Sequence, residues 1–227
     1  MVPPPGLFSF HLPLAVILSA LPISQPGPMG GGRLAPSLPQ ERISDTLHFF
    51  LGETRPGDAP VLFEPGLVST EAGTYGTVVF SPDQTEAIWA VDEHPGLFHS
   101  RYRNGDWSPP SELAILPGSR LSSPFISFDG NRLYFMAAGR DEEGIDTNEH
   151  IMVSRQGGGS WTAPEELDPR LNRARMHWQF SLDRNGTLYF CGESADLYRA
   201  ELGNGEYQNP VRLPAPLNTE APETSPH

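Results

Sequence analysis

An all-β fold made of repeated four-stranded antiparallel sheets is predicted by two features of the sequence. A Ser-x-Asp triplet between two apolar runs occurs three times, at Ser81, Ser127 and Ser181, at intervals of 46 and 54 residues. Each triplet is followed by an aromatic residue and a polar, proline-containing segment, at Trp107, Trp161 and Tyr207. Tandem units of this length are typical of a β-propeller, in which each unit is a blade that needs its neighbours to bury its faces.

Each unit contains four short runs that are predicted to be strands. In the middle unit these runs extend from Pro124 to Phe128, Leu133 to Ala137, His150 to Ser154, and around Glu165 to Leu167. They are rich in β-branched and aromatic residues, and turn-forming residues separate them. The middle unit also contains an insertion of eight residues between its triplet and its aromatic residue. No apolar pattern of helical length lies between the runs, which favours an all-β fold.

The Ser-x-Asp segment is predicted to be the turn between the first and second strands of a blade. Asp83, Asp129 and Asp183 can accept hydrogen bonds from their own backbone, while Gly130 and Gly186 can adopt positive φ. Because Gln84 takes the glycine position of the first copy, and Gly186 lies farther from Asp183 in the third, we expect those two turns to differ in type. A catalytic role for the aspartates is an alternative, but one carboxylate per blade favours a structural role. Likewise, Trp107, Trp161 and Tyr207 are predicted to wedge between sheets rather than to bind a ligand.

The segments SPDQTEAIWA, SFDGNRLYFMA and SLDRNGTLYFCG, with the W-S/T-x-P-x-x-L type of segment after them, resemble the WD40-like propeller repeats of TolB and of many exported bacterial proteins. The resemblance covers the chain from about Leu47 to its C-terminus. It implies a β-propeller of about six blades, and it implies no catalytic residue, because the family has no shared catalytic motif.

Three segments are predicted along the chain. Residues 1–24 contain an apolar run and a small-residue Ser19-Ala20 pair, as in a signal peptide, although no Lys or Arg precedes the run. A membrane anchor, or a start of translation near Met29, are the alternatives. Residues 25–42 form a Pro/Gly-rich linker, and residues 43–227 form an incomplete propeller domain with blades near 72–113, 121–167 and 176–213. The expected location is periplasmic or secreted.

The number of repeats predicts a fragment of a propeller. Three full copies and a leading strand near Val61 to Glu64 provide about three to four blades, whereas closed propellers have about 4 to 8. We therefore expect a fragment of a six-blade-like propeller, with self-association through open blade edges.

Composition excludes some partners. The 15 Lys and Arg residues against 28 Asp and Glu residues give a net charge of −13, which repels nucleic acid and anionic membranes. We expect no nucleic-acid partner and no strong membrane association beyond an N-terminal anchor. Cys191 is the only cysteine, so an intrachain disulfide is impossible, and its position in a strand predicts core packing.

Ligand-binding candidates lie in the loops between second and third strands and in the connections between blades, which share one face of a propeller. These acidic loops could bind a hard cation, a basic peptide or a sugar, but their spacing matches no EF-hand, so the presence of a metal stays open. Histidines could also meet near the axis. We expect no cofactor. The candidates are Asp92, Glu93, His94, Asp141, Glu142, Asp146, His150, Arg175 and His177.

Taken together, these features predict a non-enzymatic binding or scaffolding propeller of the cell envelope. Its partner would be a protein or a glycan bound at the acidic loop face. A glycan-active hydrolase or lyase, with its site at the propeller mouth, is the alternative.

Overall fold

The computed structural model describes residues 51, 61–71, 73–91, 94–140, 146–172, 179–192, 195–223 and 226. The predicted signal segment 1–24 and the predicted linker 25–42 lie outside these residues. Within them the chain forms three consecutive antiparallel sheets, which confirms the all-β fold and gives three blades of a partial β-propeller.

The first blade contains β1 (Thr74–Phe80), β2 (Glu86–Val91), β3 (Leu97–Arg103), β4 (Asp106–Trp107) and β5 (Ser111–Leu113). The sheet order is β1-β2-β3-β5, and β4 pairs with the end of β3 as a hairpin extension. This order, in which each strand pairs with the next main strand along the chain, is the one predicted for a blade.

The second and third blades repeat this arrangement. The second contains β6 (Arg120–Ile126), β7 (Arg132–Arg140), β8 (Asp146–Gly157), β9 (Ser160–Trp161) and β10 (Glu165–Glu166), in the order β6-β7-β8-β10. A short helix, α1 (Pro169–Asn172), follows it. The third contains β11 (Phe180–Leu182), β12 (Leu188–Cys191) and β13 (Leu197–Ala200), then the hairpin of β14 (Leu202–Gly203) and β15 (Glu206–Tyr207), and finally β16 (Val211–Arg212), which pairs with β13.

Side chains alternate between the two faces of the middle blade. Leu133 and Phe135 pack in the core shared with the first blade, whereas Tyr134 and Met136 pack in the core shared with the third. All four are nearly fully buried, and burial of a side chain of this size stabilises by about 1.5–3 kcal/mol. The continuous apolar run of β7 thus results from a sheet that is covered on both faces.

The segment before β1 differs from its prediction. Residues 61–64 form no strand, and Val61 and Leu62 are more than half exposed. Phe63 and Val68 instead pack with Trp89 on the face of the first blade that is turned away from the second. Glu64 has positive φ, and its carbonyl accepts hydrogen bonds from the amides of residues 67, 68 and 69, so the chain turns back on itself here instead of extending.

The turns between first and second strands differ from the prediction at one position. Gln84 has φ 57° and Gly130 has φ 73°, and the amide of each donates to the carbonyl of the Ser that begins its triplet. The first two turns are therefore of the same type, and the expected difference at Gln84 was wrong, because glutamine adopts the left-handed conformation at some energetic cost. The third turn does differ: Asp183 N–H, not Ser181 N–H, closes the loop by donating to the Thr187 carbonyl.

Candidate functional site

The loops between second and third strands lie at one end of the stacked sheets. At the opposite end the Ser-x-Asp turns of neighbouring blades touch: a Cβ on Gly130 would lie 3.4 Å from Pro82 Cδ, and the Arg184 guanidinium lies 5.0 Å from the centre of the Phe128 ring. The blades therefore share one orientation. The ends of β2, β7 and β12, from which the loops between second and third strands continue, therefore lie at the other end of the sheets.

Much of the predicted ligand set lies outside the described residues. Six of the candidates belong to this undescribed part: Asp92, Glu93, Asp141, Glu142, Arg175 and His177. Asp146 is described only through its backbone, at the start of β8. His94 and His150 are the two candidates with described side chains.

His94 is held by its own blade. Its Nδ1 accepts a hydrogen bond from the Gly96 amide at 3.1 Å, and its ring packs edge-on against Phe98. Its Nε2 lies 3.9 Å from Glu112 Oε2, on the outermost strand β5. The imidazole thus bridges the loop to the edge of the first blade.

His150 has the same relation to the second blade. Its Nδ1 lies 2.5 Å from Glu166 Oε1, on the outermost strand β10. Since each histidine lies beside the outer strand of a different blade, these two do not meet near the axis, and that hypothesis is wrong for them. Among the described residues no group of three or more His, Cys, Asp or Glu side chains could hold a metal ion.

The third blade repeats the bridge with the charges exchanged. Asp196, in the loop before β13, accepts two hydrogen bonds from Arg212 on the outermost strand β16, at 2.6 and 2.8 Å. The Arg212 guanidinium lowers the pKa of Asp196. Glu112, Glu166 and Arg212 occupy equivalent register positions, opposite Phe98, Met152 and Tyr198. Sequence reasoning missed these partners, although their position one residue before the end of each repeat could have indicated them.

The middle hairpin extends beyond its neighbours on this face. In the first blade Ala90 pairs with Leu97, and six residues lie between them. At the equivalent position of the second blade Met136 pairs with Ile151, and fourteen residues lie between them. The insertion of eight residues thus lengthens β7 and β8 as paired strands, with Ala138 opposite Glu149 and Arg140 opposite Asp146. β7 continues three residues beyond the position equivalent to the end of β2, which advances the strand by about 10 Å.

On the opposite face the three repeated aspartates hold their own turns. Asp129 Oδ1 accepts a hydrogen bond from the Ser127 hydroxyl and another from the Asn131 amide, and the Ser127 bond holds its pKa below the ordinary value. Asp83 makes equivalent contacts with Ser81 and Thr85, with the same effect on its pKa. Asp183 accepts from the amides of residues 185 and 187. All three carboxylates are therefore engaged in local backbone structure.

The repeated aromatic residues pack on the side of each blade that faces the preceding segment. Trp161 lies in the core between the first and second blades, and Tyr207 in the core between the second and third. The Tyr207 hydroxyl donates to the Gly186 carbonyl at 3.1 Å, and burial raises its pKa. Trp107 packs against Phe80 with the segment that precedes the first blade. These positions suit wedges between sheets.

One buried carboxylate was not anticipated. The Glu86 side chain is 6% exposed; its Oε1 accepts a hydrogen bond from Arg101 Nε at 2.7 Å and lies 3.0 Å from His99 Nδ1. Burial opposes ionisation, but the bonds with His99 and Arg101 outweigh it and hold the pKa of Glu86 below its ordinary value. Arg101 Nη1 also donates to the Gly159 carbonyl of the second blade. This cluster links the two blades.

No helix within the described residues has the length and apolar character needed to span a membrane. Cys191 is buried, and burial raises the pKa of its thiol.

No family model and no curated protein matches the chain. Among solved structures it is similar to a protein from Lactobacillus plantarum, with 15% identity and a TM-score of 0.45 over 62% of this chain and 41% of that one. It is also similar to the periplasmic gluconolactonase of Pseudomonas aeruginosa (13% identity, TM-score 0.41, 70% of this chain and 43% of that one). A third is the Cps50 β-propeller domain of Myceliophteria thermophila (10% identity, TM-score 0.41, 60% of this chain and 41% of that one).

The chain spans less than half the length of each of these proteins. The assignment of the fold rests on the three sheets, their common orientation and the two cores between them, which together make the described chain a partial β-propeller.

Proposed function

We propose that the chain is a non-enzymatic binding or scaffolding propeller of the cell envelope, exported by residues 1–24, that recognises a protein or a glycan through its acidic loop face. The observation that supports this most is the extended β7–β8 hairpin. Extra length at a loop is tolerated by a rigid frame and usually serves recognition. Here it occurs at the end of the sheets where the sequence predicts the ligand set.

The described polar residues around the hairpin support a rigid frame with a variable binding edge. His150 and Asp196 contact the outermost strand of their own blade within hydrogen-bond distance. His94 lies 3.9 Å from Glu112 on the outermost strand of its own blade. Their side chains position the loops rather than perform chemistry on a substrate. The net charge of −13 favours a partner with basic groups, or a neutral glycan that hydrogen-bonds to carboxylates.

An exchange of loops tests the proposal. Residues 137–150 would be replaced by residues 91–96, the connection that joins the equivalent strands of the first blade. The full chain and this variant would be compared on a glycan array and by cross-linking to envelope extract, followed by titration of the partner identified. We expect the variant to unfold cooperatively and to lose binding.

The charge of the hairpin is tested separately. Asp141→Lys with Glu142→Lys should weaken binding of a basic partner in a salt-dependent manner, whereas Glu201→Lys, an exposed position on the third blade, should not. Equal binding by the exchange variant and the native chain would refute the proposal. Release of sugar products from a bound glycan would favour the hydrolase or lyase instead.

A further inference from the structure

A cleft of about 620 Å³ lies between the second and third blades. Its walls include Arg132 and Tyr134 of β7, Arg155 of β8, and Glu206 and Tyr207 from the β14–β15 hairpin. It opens beside the Ser-x-Asp turns, on the face opposite the acidic loops. Its volume falls in the range of small-molecule sites, about 300–1,000 Å³.

The corresponding place between the first and second blades contains an ion pair between Glu86 and Arg101. Glu86 pairs in register with Arg101, as Arg132 pairs with Arg155 in the second blade. In the first blade the carboxylate binds Arg101, and Arg101 reaches the Gly159 carbonyl of the next blade. In the second blade an arginine takes the place of that carboxylate, so two arginines are paired in register, an arrangement that the repulsion of like charges disfavours.

The remaining charges of the cleft are mostly satisfied within the protein. Arg155 Nη2 donates to Glu165 Oε1 at 2.6 Å, on its own blade. Arg170 donates hydrogen bonds from Nε and Nη2 to the Asp168 carboxylate, at 3.1 and 2.8 Å, and its Nη2 lies 3.5 Å from Glu206 Oε2. These two arginines therefore have carboxylate partners.

Arg132 differs from them. Its Nη1 donates to the Tyr134 hydroxyl at 3.4 Å. The Asp129 carboxylate attracts it from beyond ion-pair distance, and no carboxylate of the described residues lies within that distance. The Tyr134 hydroxyl, which accepts this bond, still has a proton to donate. A guanidinium and a phenol hydroxyl side by side provide donors of the kind that bind carboxylate and phosphate oxygens.

We infer that this cleft binds a small organic anion, whose carboxylate or phosphate group lies on Arg132 and Tyr134 and whose body packs on the apolar part of the wall. That part is formed by Val153, Leu167, Pro169 and Leu202. The anion would supply at Arg132 the negative charge that Glu86 supplies at the equivalent position of the first blade. This inference does not depend on the partner proposed for the acidic loop face.

Titration calorimetry of the full chain with phenyl phosphate, benzoate and inorganic phosphate tests the inference, with benzamide as the neutral control. We expect saturable binding of phenyl phosphate or benzoate, weaker binding of inorganic phosphate because it lacks the apolar body, and no binding of benzamide. NMR signals of arginine Nε–H groups should shift on addition of the anion. The ratio of the affinities for phenyl phosphate and benzoate identifies whether the cleft prefers a phosphate or a carboxylate group.

The variant Arg132→Glu introduces the residue that the first blade has at this position, so it is suited to the fold. We expect it to weaken binding at least about tenfold, through loss of a charge-assisted bond. Arg199→Glu makes the same charge change on the other face of the third blade and should alter the affinity less than about twofold. Tyr134→Phe removes one hydrogen-bond donor and leaves the charge unchanged, so it should weaken binding by a smaller factor. It also provides a second test if Arg132→Glu does not fold.

The inference is overturned if the native chain binds none of the anions saturably. It is equally overturned if Arg132→Glu and Tyr134→Phe, both folded by thermal melting, bind as tightly as the native chain.

Discussion

Substitution of Glu86 by glutamine tests how the first two blades are joined. The Glu86 side chain is 6% exposed, and that of its partner Arg101 is 20% exposed. Arg101 Nε lies 2.7 Å from the carboxylate, and Arg101 Nη1 donates to the Gly159 carbonyl across the interface between the blades. Glutamine keeps the shape and an acceptor oxygen but removes the charge, so the variant isolates the electrostatic part of the link.

The expected loss is about 2 kcal/mol in the free energy of unfolding at pH 7. A hydrogen bond to a charged group contributes about 1.5–3 kcal/mol and a neutral one about 0.5–1.5. The bond from Arg101 therefore loses about 1–1.5 kcal/mol, and the guanidinium left without its counter-charge in a largely buried place adds to this. For a domain of this size, 2 kcal/mol corresponds to a decrease in Tm of about 4–8 °C.

Urea denaturation followed by tryptophan fluorescence measures the effect, with Glu112→Gln as the matched control. Glu112 is in the same blade and also lies near a histidine, but its side chain is 53% exposed and the separation is 3.9 Å. An exposed pair of this kind contributes about 0–1 kcal/mol. If the two variants lose the same stability within about 0.5 kcal/mol, the buried cluster does not join the blades as argued.

The pH dependence has a definite sign. Because Glu86 has a lowered pKa in the folded protein, its stabilisation is fully present above its ordinary value of 4.5 and is lost as the pH falls through the folded-state pKa. The difference between native chain and Glu86→Gln should thus be constant near neutral pH and shrink in acid below about pH 4.5. A difference that grows in acid would contradict this assignment.

Three further predictions concern the turns, the thiol and the open face. Gly130→Gln should lower the free energy of unfolding by about 1 kcal/mol, because φ is 73° there, whereas Gln84→Gly should not destabilise; urea denaturation of both variants checks this. Cys191 should react with a thiol reagent only when the protein unfolds, since it is buried and its pKa is raised; reaction in the native state at the unfolded rate would contradict this. Val211, 57% exposed on the face of the third blade turned away from the second, should take part in self-association, so Val211→Lys should reduce the particle mass seen by light scattering; a monodisperse native monomer would refute it.

The sheets could be predicted because each blade is specified by local signals that recur. Alternating apolar residues and a Ser-x-Asp turn identify strands wherever they occur in a unit. The bounds differed, however: Leu133 to Ala137 is only the middle of β7 (Arg132–Arg140), and His150 to Ser154 only the middle of β8 (Asp146–Gly157). Apolar residues indicate only the part of a strand that lies in the core, while backbone pairing continues past it into the hairpin.

The partners of the loop residues could not be predicted in the same manner. His150 meets Glu166, which lies sixteen residues farther along the chain, because β8 and β10 pair in a fixed register. A histidine in an acidic loop has the same local sequence whether it faces the axis or its own outer strand. Only the paired sheet decides between them, and here it favours the outer strand for His94 and His150 alike.

The two interfaces between blades show how one position can change what a repeat does. Their cores are equivalent, and each receives an aromatic wedge, Trp161 in the first and Tyr207 in the second. Next to these cores, Glu86 neutralises the arginine opposite it, whereas Arg132 faces Arg155 across the pair. Since two arginines in register break the charge pairing of the repeat and add nothing to the apolar core, such a position is suited to a ligand rather than to the fold. The same repeat can therefore use one interface for rigidity and the next for binding.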